Sequence, residues 1–227
     1  MEKLVRNLIV DHMIRNKMFS KKQFGFISGR STTLQLLKVM DEWTGILDNG
    51  GRIDSIYMDF MKAFDKVPHR RLIKKMEGYG IGKRILNWVK EFLKNRKQKL
   101  LVNGAESACQ DVTNGIPQGS VLDPYFKFII YINDMPECVD AVAYLFADDT
   151  KLYKEIKRDE DSEKLQKDLD SLQKWSDTWL LKFHPNKCKV MTVSSKKKRE
   201  EISNQYHLYD NLGQEIVTAS IRRGERY

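Results

Sequence analysis

Leu145-Phe146-Ala147-Asp148-Asp149-Thr150-Lys151-Leu152-Tyr153 sets two adjacent carboxylates between apolar, β-prone runs. Val142, Tyr144 and Phe146, just before the pair, share a parity that puts them on one face of a strand. Aspartate favours turns and is poor inside strands, so the pair is expected at the tip of a hairpin. Like charges held side by side repel, and they are tolerated where something positive sits between them. A hydrated turn accounts for an isolated Asp-Asp. A third carboxylate, Asp59, ends another strand-like run, Ile53 to Phe60, in which Ile56, Met58 and Phe60 share a face. If the fold sets the two runs side by side, three acids meet at one end of a sheet; otherwise Asp59 caps a strand end. Hard oxygen ligands in that number suit Mg²⁺, which keeps waters and substrate phosphates. Two such ions about 3.5–4 Å apart stabilise the attacking and leaving oxygens of a phosphoryl displacement. That reaction needs little beyond positioning and charge neutralisation.

Outward from these two runs, helices and strands alternate irregularly, which predicts an α+β fold. Leu4, Leu8, Ile9, Met13 and Ile14 are spaced as one face of a first helix. A glycine-containing loop over residues 21–33 follows, and Ser31 or Thr32 is placed to cap the next helix. The apolar face of that helix reads Leu34, Leu37, Met40, Trp43 and Leu47, and it stops at the turn cluster Asp48-Asn49-Gly50-Gly51. Residues 61–79 are helical but broken at Pro68. The helix after Gly82 runs into Lys94-Asn95-Arg96-Lys97-Gln98-Lys99, a patch that either complements a helix C-terminus or faces a phosphate backbone. Asn103-Gly104 is a strong hairpin signal. Asn114 to Ser120 is a polar loop, Val121 to Tyr131 begins a buried helix, and Leu165, Leu169, Leu172, Trp175 and Trp179 mark a long amphipathic helix. A turn and a strand close the patterned region at Val193.

Composition bounds the partners. The chain has 227 residues and a net charge of +9, which favours a polyanion. Cys109, Cys138 and Cys188 have no paired spacing, so zinc is not expected, and a sparse odd set fits a reducing, intracellular compartment. No apolar run approaches the ~18 residues of a membrane span, so no membrane partner is expected.

Several motifs in order resemble one family. Phe146-Ala147-Asp148-Asp149 looks like the catalytic box of reverse transcriptases, and Asp59 to Asp65 resembles their first carboxylate motif. Gly115-Ile116-Pro117-Gln118-Gly119-Ser120-Val121-Leu122 resembles their Pro-Gln-Gly loop. Gln23-Phe24-Gly25-Phe26 with Gly29-Arg30-Ser31-Thr32, Tyr131 to Asp134, and Trp179 to Cys188 resemble segments of jockey-like retrotransposons without long terminal repeats (LINE elements). The match runs from about residue 5 to 193. It implies a right-hand polymerase with an antiparallel palm sheet packed on helices. Fingers would cover about 1–52 and 80–113, palm about 53–79 and 114–193, with a diverged tail over 194–227. It implies an RNA-directed DNA polymerase using Mg²⁺ (two ions, Mn²⁺ possible), an RNA template, a DNA primer and deoxynucleoside triphosphates, with a nuclear site of action. By the resemblance, Asp59, Asp148 and Asp149 hold the metals and Lys187 protonates the leaving pyrophosphate. Arg30, Phe60, Phe64, Gln118 and Gly119 bind the nucleotide: Arg30 pairs with the triphosphate, and Phe64 excludes a 2′-hydroxyl. The residues alone also allow a solvated Arg30, a core Phe64 and a surface Lys187.

This chain departs from the family pattern in places. Asp123 stands where glycine is expected, and Ile27-Ser28 replace the usual fingers residues. Residues 124–130 are one residue longer than usual, which turns the following side chains by about 100° and sets Lys127 in an apolar helix. With no thumb expected in the chain, the alternative reading is a truncated, catalytically dead palm that only binds nucleic acid.

Overall fold

A computed structural model describes residues 1–115, 124–184, 187–194, 206–209, 215–217 and 219–220. Gln118, Gly119 and Asp123 lie outside these, as does the side chain of Lys127. The elements begin with α1 (Glu2–Arg15), α2 (Thr32–Asp48), β1 (Arg52–Met58), α3 (Ala63–Lys66), α4 (His69–Gly78) and α5 (Lys83–Leu93). Short strands β2 (Lys97–Gln98), β3 (Leu101–Val102), β4 (Ala105–Glu106) and β5 (Gln110–Asp111) follow. Then come α6 (Pro124–Ile132), a 3₁₀ turn (Met135–Cys138), β6 (Val142–Phe146), β7 (Asp149–Glu155), α7 (Asp159–Trp179) and β8 (Lys189–Ser194). The last strands are β9 (His207–Tyr209), β10 (Glu215–Val217) and β11 (Ala219–Ser220). These elements form two compact units, Met1–Phe19 with Lys62–Ile132, and Ser20–Met61 with Asn133–Tyr227.

The second unit is built on a five-stranded sheet in the order β11-β8-β1-β7-β6. Its pairs are antiparallel apart from β11 with β8. Ile56 of β1 sits opposite both Leu152 and Val190. One face packs Ile53, Tyr144 and Tyr153 against Phe24, Val39 and Trp43. Glu42 of α2 ties that packing down by accepting from the hydroxyls of Tyr144 (2.9 Å) and Tyr153. Ala143, Tyr144 and Leu145 are all buried, so β6 is covered on both faces, not only on the Val142-Tyr144-Phe146 face. Helix α7 lies along β7 and buries Leu165, Leu169, Leu172 and Trp175.

The first unit is built mainly of helices, with two short two-stranded ribbons. Pro68 separates α3 from α4 as its missing N–H requires. Helix α4 packs on α5 and α6, burying Leu72, Ile73 and Met76, and α6 is buried from Phe128 to Ile132. Lys75 is buried among them and keeps its charge satisfied: Nζ donates to the Tyr131 carbonyl at 2.5 Å and lies 5.2 Å over the Tyr131 ring. Asn103 and Gly104 both take positive φ (50° and 82°), the requirement of a tight β3–β4 hairpin. The Lys94–Lys99 patch is not a helical last turn. Helix α5 ends at Leu93, and Lys97 and Gln98 pair with Asp111 and Gln110 in a two-stranded ribbon.

Two helical faces differ from the sequence expectation. In α1 the buried stripe is Val5, Ile9 and Met13, while Leu4, Leu8 and Ile14 are exposed. In α2 it is Val39 and Trp43, with Leu34, Leu37 and Met40 exposed. Both helices carry apolar residues on two adjacent stripes, so periodicity alone does not choose between them. The cap is Ser31, whose Oγ accepts from the Leu34 N–H at 3.2 Å. Ser31→Ala is expected to cost about 1 kcal/mol in urea unfolding, and Ser31→Asp to retain the wild-type midpoint.

Candidate active site

The sheet register assembles the carboxylates. Met58 sits opposite Thr150, so the next positions outward, Asp59 and Asp149, leave the same end of the β1–β7 pair. On the other side of β7, Phe146 pairs with Asp149, and Ala147 and Asp148 form the two-residue turn. The hairpin tip is therefore Ala147-Asp148, one residue earlier than an Asp148-Asp149 tip, because Asp149 already belongs to the β7 ladder. All three acids lie within the second unit.

A return segment brings a cation to them. Met61 N–H donates to Lys182 O (2.8 Å) and His184 N–H to Asp59 O (2.7 Å), which lays residues 182–184 beside the end of β1. From there Lys187 reaches back, with Nζ 2.5 Å from Asp59 Oδ2. The same pairing stacks Phe60 on Phe183 at 4.8 Å, with Trp175 at 6.3 Å. Phe60 is only 2 % exposed. Its ring therefore belongs to the core, as the face it shares with Ile56 and Met58 predicts. Phe64 lies in the other unit, half-buried on α3, its ring 4.9 Å from Phe128.

The electrostatics follow from this crowding. Burial pushes the Asp148 carboxyl up; its own backbone N–H and Lys187 work against the rise, and the charge of Asp59 adds to it. Burial, then Asp148, then Asp59 push Asp149 up, again opposed by Lys187. The Lys187 ammonium is held above its ordinary value, first by its bond to Asp59 and then by the two other acids. One ammonium thus serves three carboxylates, and the cluster keeps an excess of negative charge. Among the described residues, no three side chains are arranged to hold a metal ion as they stand. The donor set is nevertheless all carboxylate oxygen, and Lys187 already stands where the cluster draws a cation.

Arg30 is engaged locally: Nη1 donates to Ser20 O and Gln23 O, each at 2.5 Å. Two motif residues prove to be scaffold. Asn133 accepts from the Ser20 N–H (2.8 Å), and Asp134 from Trp175 Nε1 (3.1 Å). Gln23, quoted in the first fingers motif but given no role there, is buried and reaches the Ala147-Asp148 turn, with Oε1 accepting from Ala147 N–H at 3.1 Å.

Residues 1–216 match the family described as reverse transcriptase (RNA-dependent DNA polymerase). The chain belongs to the reverse transcriptase family. Among its relatives, the RNA-directed DNA polymerase from mobile element jockey of Drosophila melanogaster is 28% identical over 205 residues, 86% of this chain and 22% of the relative. The probable RNA-directed DNA polymerase from transposon BS, also of Drosophila melanogaster, is 29% identical over 202 residues, 82% of this chain and 21% of the relative. This reverse transcriptase chain therefore spans about a fifth of the curated relatives it matches. Its fold is similar to that of telomerase from Candida albicans, solved with a fragment of telomeric RNA (TM-score 0.65, 12% identity, 95% of this chain and 36% of that one). That likeness supports the right-hand polymerase fold.

Proposed function

We propose that this chain is the polymerising domain of a retroelement, extending a DNA primer with deoxynucleoside triphosphates on an RNA template. The observation that carries this reading is the convergence of Asp59, Asp148 and Asp149 at one sheet end around a single ammonium. Asp59 and Asp148, with Asp149 beside them, would hold Mg²⁺ or Mn²⁺. When bound, the ions would neutralise the charge of the transferring phosphoryl group and activate the primer hydroxyl. The protein's own part is positioning. The sheet fixes the acids, and Lys187, held beside Asp59, would give a proton to the leaving pyrophosphate. Gln118 and Gly119 would line the nucleotide pocket, Phe64 would sit under the sugar, and Arg30 would turn its remaining donors to the triphosphate. On this reading fingers and palm follow the boundaries expected from the motifs.

Extension of a DNA primer on a homopolymer RNA template tests the proposal, alongside filter binding over a salt series. Template-dependent extension that stops when the divalent ion is chelated is the expected result. Binding that weakens steeply with salt is also expected for a chain of net charge +9. Salt-sensitive binding with no extension in Mg²⁺ or Mn²⁺ refutes the polymerase and leaves a palm that only holds nucleic acid.

A further inference from the structure

We propose that Gln23 is a positioning residue for catalysis, clamping the Ala147-Asp148 turn so that Asp148 is presented to the metal site; this rests on the polymerase reading above. Ala147 has φ +54°, the left-handed region that an L-residue with a Cβ enters at a cost of about 1–2 kcal/mol. The turn is two residues long and buried at Ala147, so something must hold that conformation and satisfy its backbone. Gln23, 1% exposed, does both. Its Oε1 accepts from the N–H groups of Ala147 (3.1 Å) and Gly25 (2.8 Å), and its Nε2 donates to the Ala147 carbonyl (3.3 Å). A primary amide of this length supplies donor and acceptor from one plane.

The segment carrying Gln23 is itself fixed against the hairpin. Leu145 donates to Lys22 O (2.9 Å) and accepts from Phe24 N–H (2.8 Å), a single parallel bridge that fastens Gln23 to the edge of β6. Gly25 allows this approach, because a Cβ there would lie 2.4 Å from Ala147 N. Behind the segment, Arg30 Nη1 grips the carbonyls of Ser20 and Gln23. The chain from Gln23 to Arg30 thus works as a brace on the turn, and Asp148 is the next residue along.

The test compares the full chain with Gln23→Met, which keeps side-chain bulk and removes all three bonds, using Tyr206→Phe as a control for lost stability away from the turn. Amide exchange is read at Ala147 and at Leu152 in the middle of β7, and single-turnover extension at saturating and limiting nucleotide. Gln23→Met is expected to speed exchange at Ala147 about 100-fold while Leu152 stays protected. It is expected to lower kcat about 100-fold with the nucleotide KM within about twofold, as a misplaced catalytic group does. Uniform loss of protection across β6 and β7, or a fall in kcat no larger than that of Tyr206→Phe at equal folded fraction, overturns the proposal. Failure of the unaltered chain to extend any primer refutes the polymerase reading instead, and the exchange data then decide alone whether Gln23 holds the turn.

Discussion

Asp148→Asn is expected to abolish primer extension and to raise the melting temperature of the chain at neutral pH. On the proposed reading, the loss of activity follows from replacing one of three converging carboxylates, which would hold the metal, by a neutral amide. Metal-borne charge stabilisation is worth several kcal/mol, so the rate should fall about 1,000-fold or more at 1.36 kcal/mol per decade. The gain in stability follows from the same crowding. Burial, with the charge of Asp59 adding, raises the Asp148 carboxyl above its value in the unfolded chain, about 3.9. The folded state therefore holds that proton more tightly than the unfolded state does. The associated stability is fully present below about pH 3.9 and is lost as the pH rises through the raised folded value. At neutral pH the ionised group opposes folding, and asparagine removes that cost without adding charge. Calorimetry from pH 4 to 8 should show the variant's advantage opening with pH, and divalent metal should stabilise the wild type but not the variant. A variant that extends primers at the wild-type rate, or melts below the wild type at pH 7, contradicts the assignment.

The same electrostatics set the pH dependence of the reaction. With both Asp148 and Asp149 raised, extension in limiting metal should climb as the pair ionises, on a limb displaced above the ordinary carboxylate range. Bound metal should draw that limb down, so pH profiles at low and saturating Mg²⁺ should separate at the acidic end.

The sequence placed each set of acids at the end of an alternating run, because Ile56 and Met58 lead outward to Asp59 and Val142, Tyr144 and Phe146 lead to Asp148 and Asp149. It left open whether the two runs lie side by side, and only the β1–β7 register brings the acids together. The Pro68 break and the Asn103-Gly104 hairpin were legible for equally local reasons, a missing donor and a backbone that accepts positive φ. Choices of face in α1 and α2 were not, since apolar side chains occupy two stripes and only packing decides. Gln23 was invisible as a clamp because its meaning depends on Ala147, far along the chain, and a glutamine in a glycine-flanked loop carries no periodic signal. The burial of Phe60 was legible in the parity it shares with Ile56 and Met58, but its partner Phe183 was not, because that comes from the return segment, whose pairing no local pattern announces. Arg30 shows the limit of a motif. The structure spends one of its nitrogens on the two carbonyls that hold Gln23 in place, a structural duty the motif alone does not reveal.

The other large effect is expected at the opposite end of β1, where Asp54→Ala should cost about 3 kcal/mol in urea unfolding of the sheet-bearing unit. Asp54 is fully buried, with the parity of Ile56 and Met58. Its two oxygens take four bonds: Arg52 Nε (3.1 Å) and Nη2 (2.8 Å), Thr192 Oγ1 (2.7 Å) and the Tyr206 hydroxyl (2.7 Å). Thr192 faces Asp54 across the β1–β8 ladder, so the carboxylate ties three parts of the chain together. Burial, with the charge of Asp54 next in weight, pushes the Tyr206 hydroxyl well up, which keeps it a neutral donor. Deleting the carboxylate leaves two hydroxyls and a guanidinium facing an apolar gap, and breaking a buried pair in this way costs about 3–5 kcal/mol. The low end applies because the Arg52 side chain is a quarter exposed and recovers part of its hydration. That loss is a large share of the about 5–15 kcal/mol that holds an ordinary domain together. Removing both charges as Arg52→Leu with Asp54→Leu should restore more than half of it, because neither ion is then left unpaired. If Asp54→Ala shifts unfolding by less than 1 kcal/mol, or if the double variant is no better than the single one, this network is not what holds the far end of the sheet.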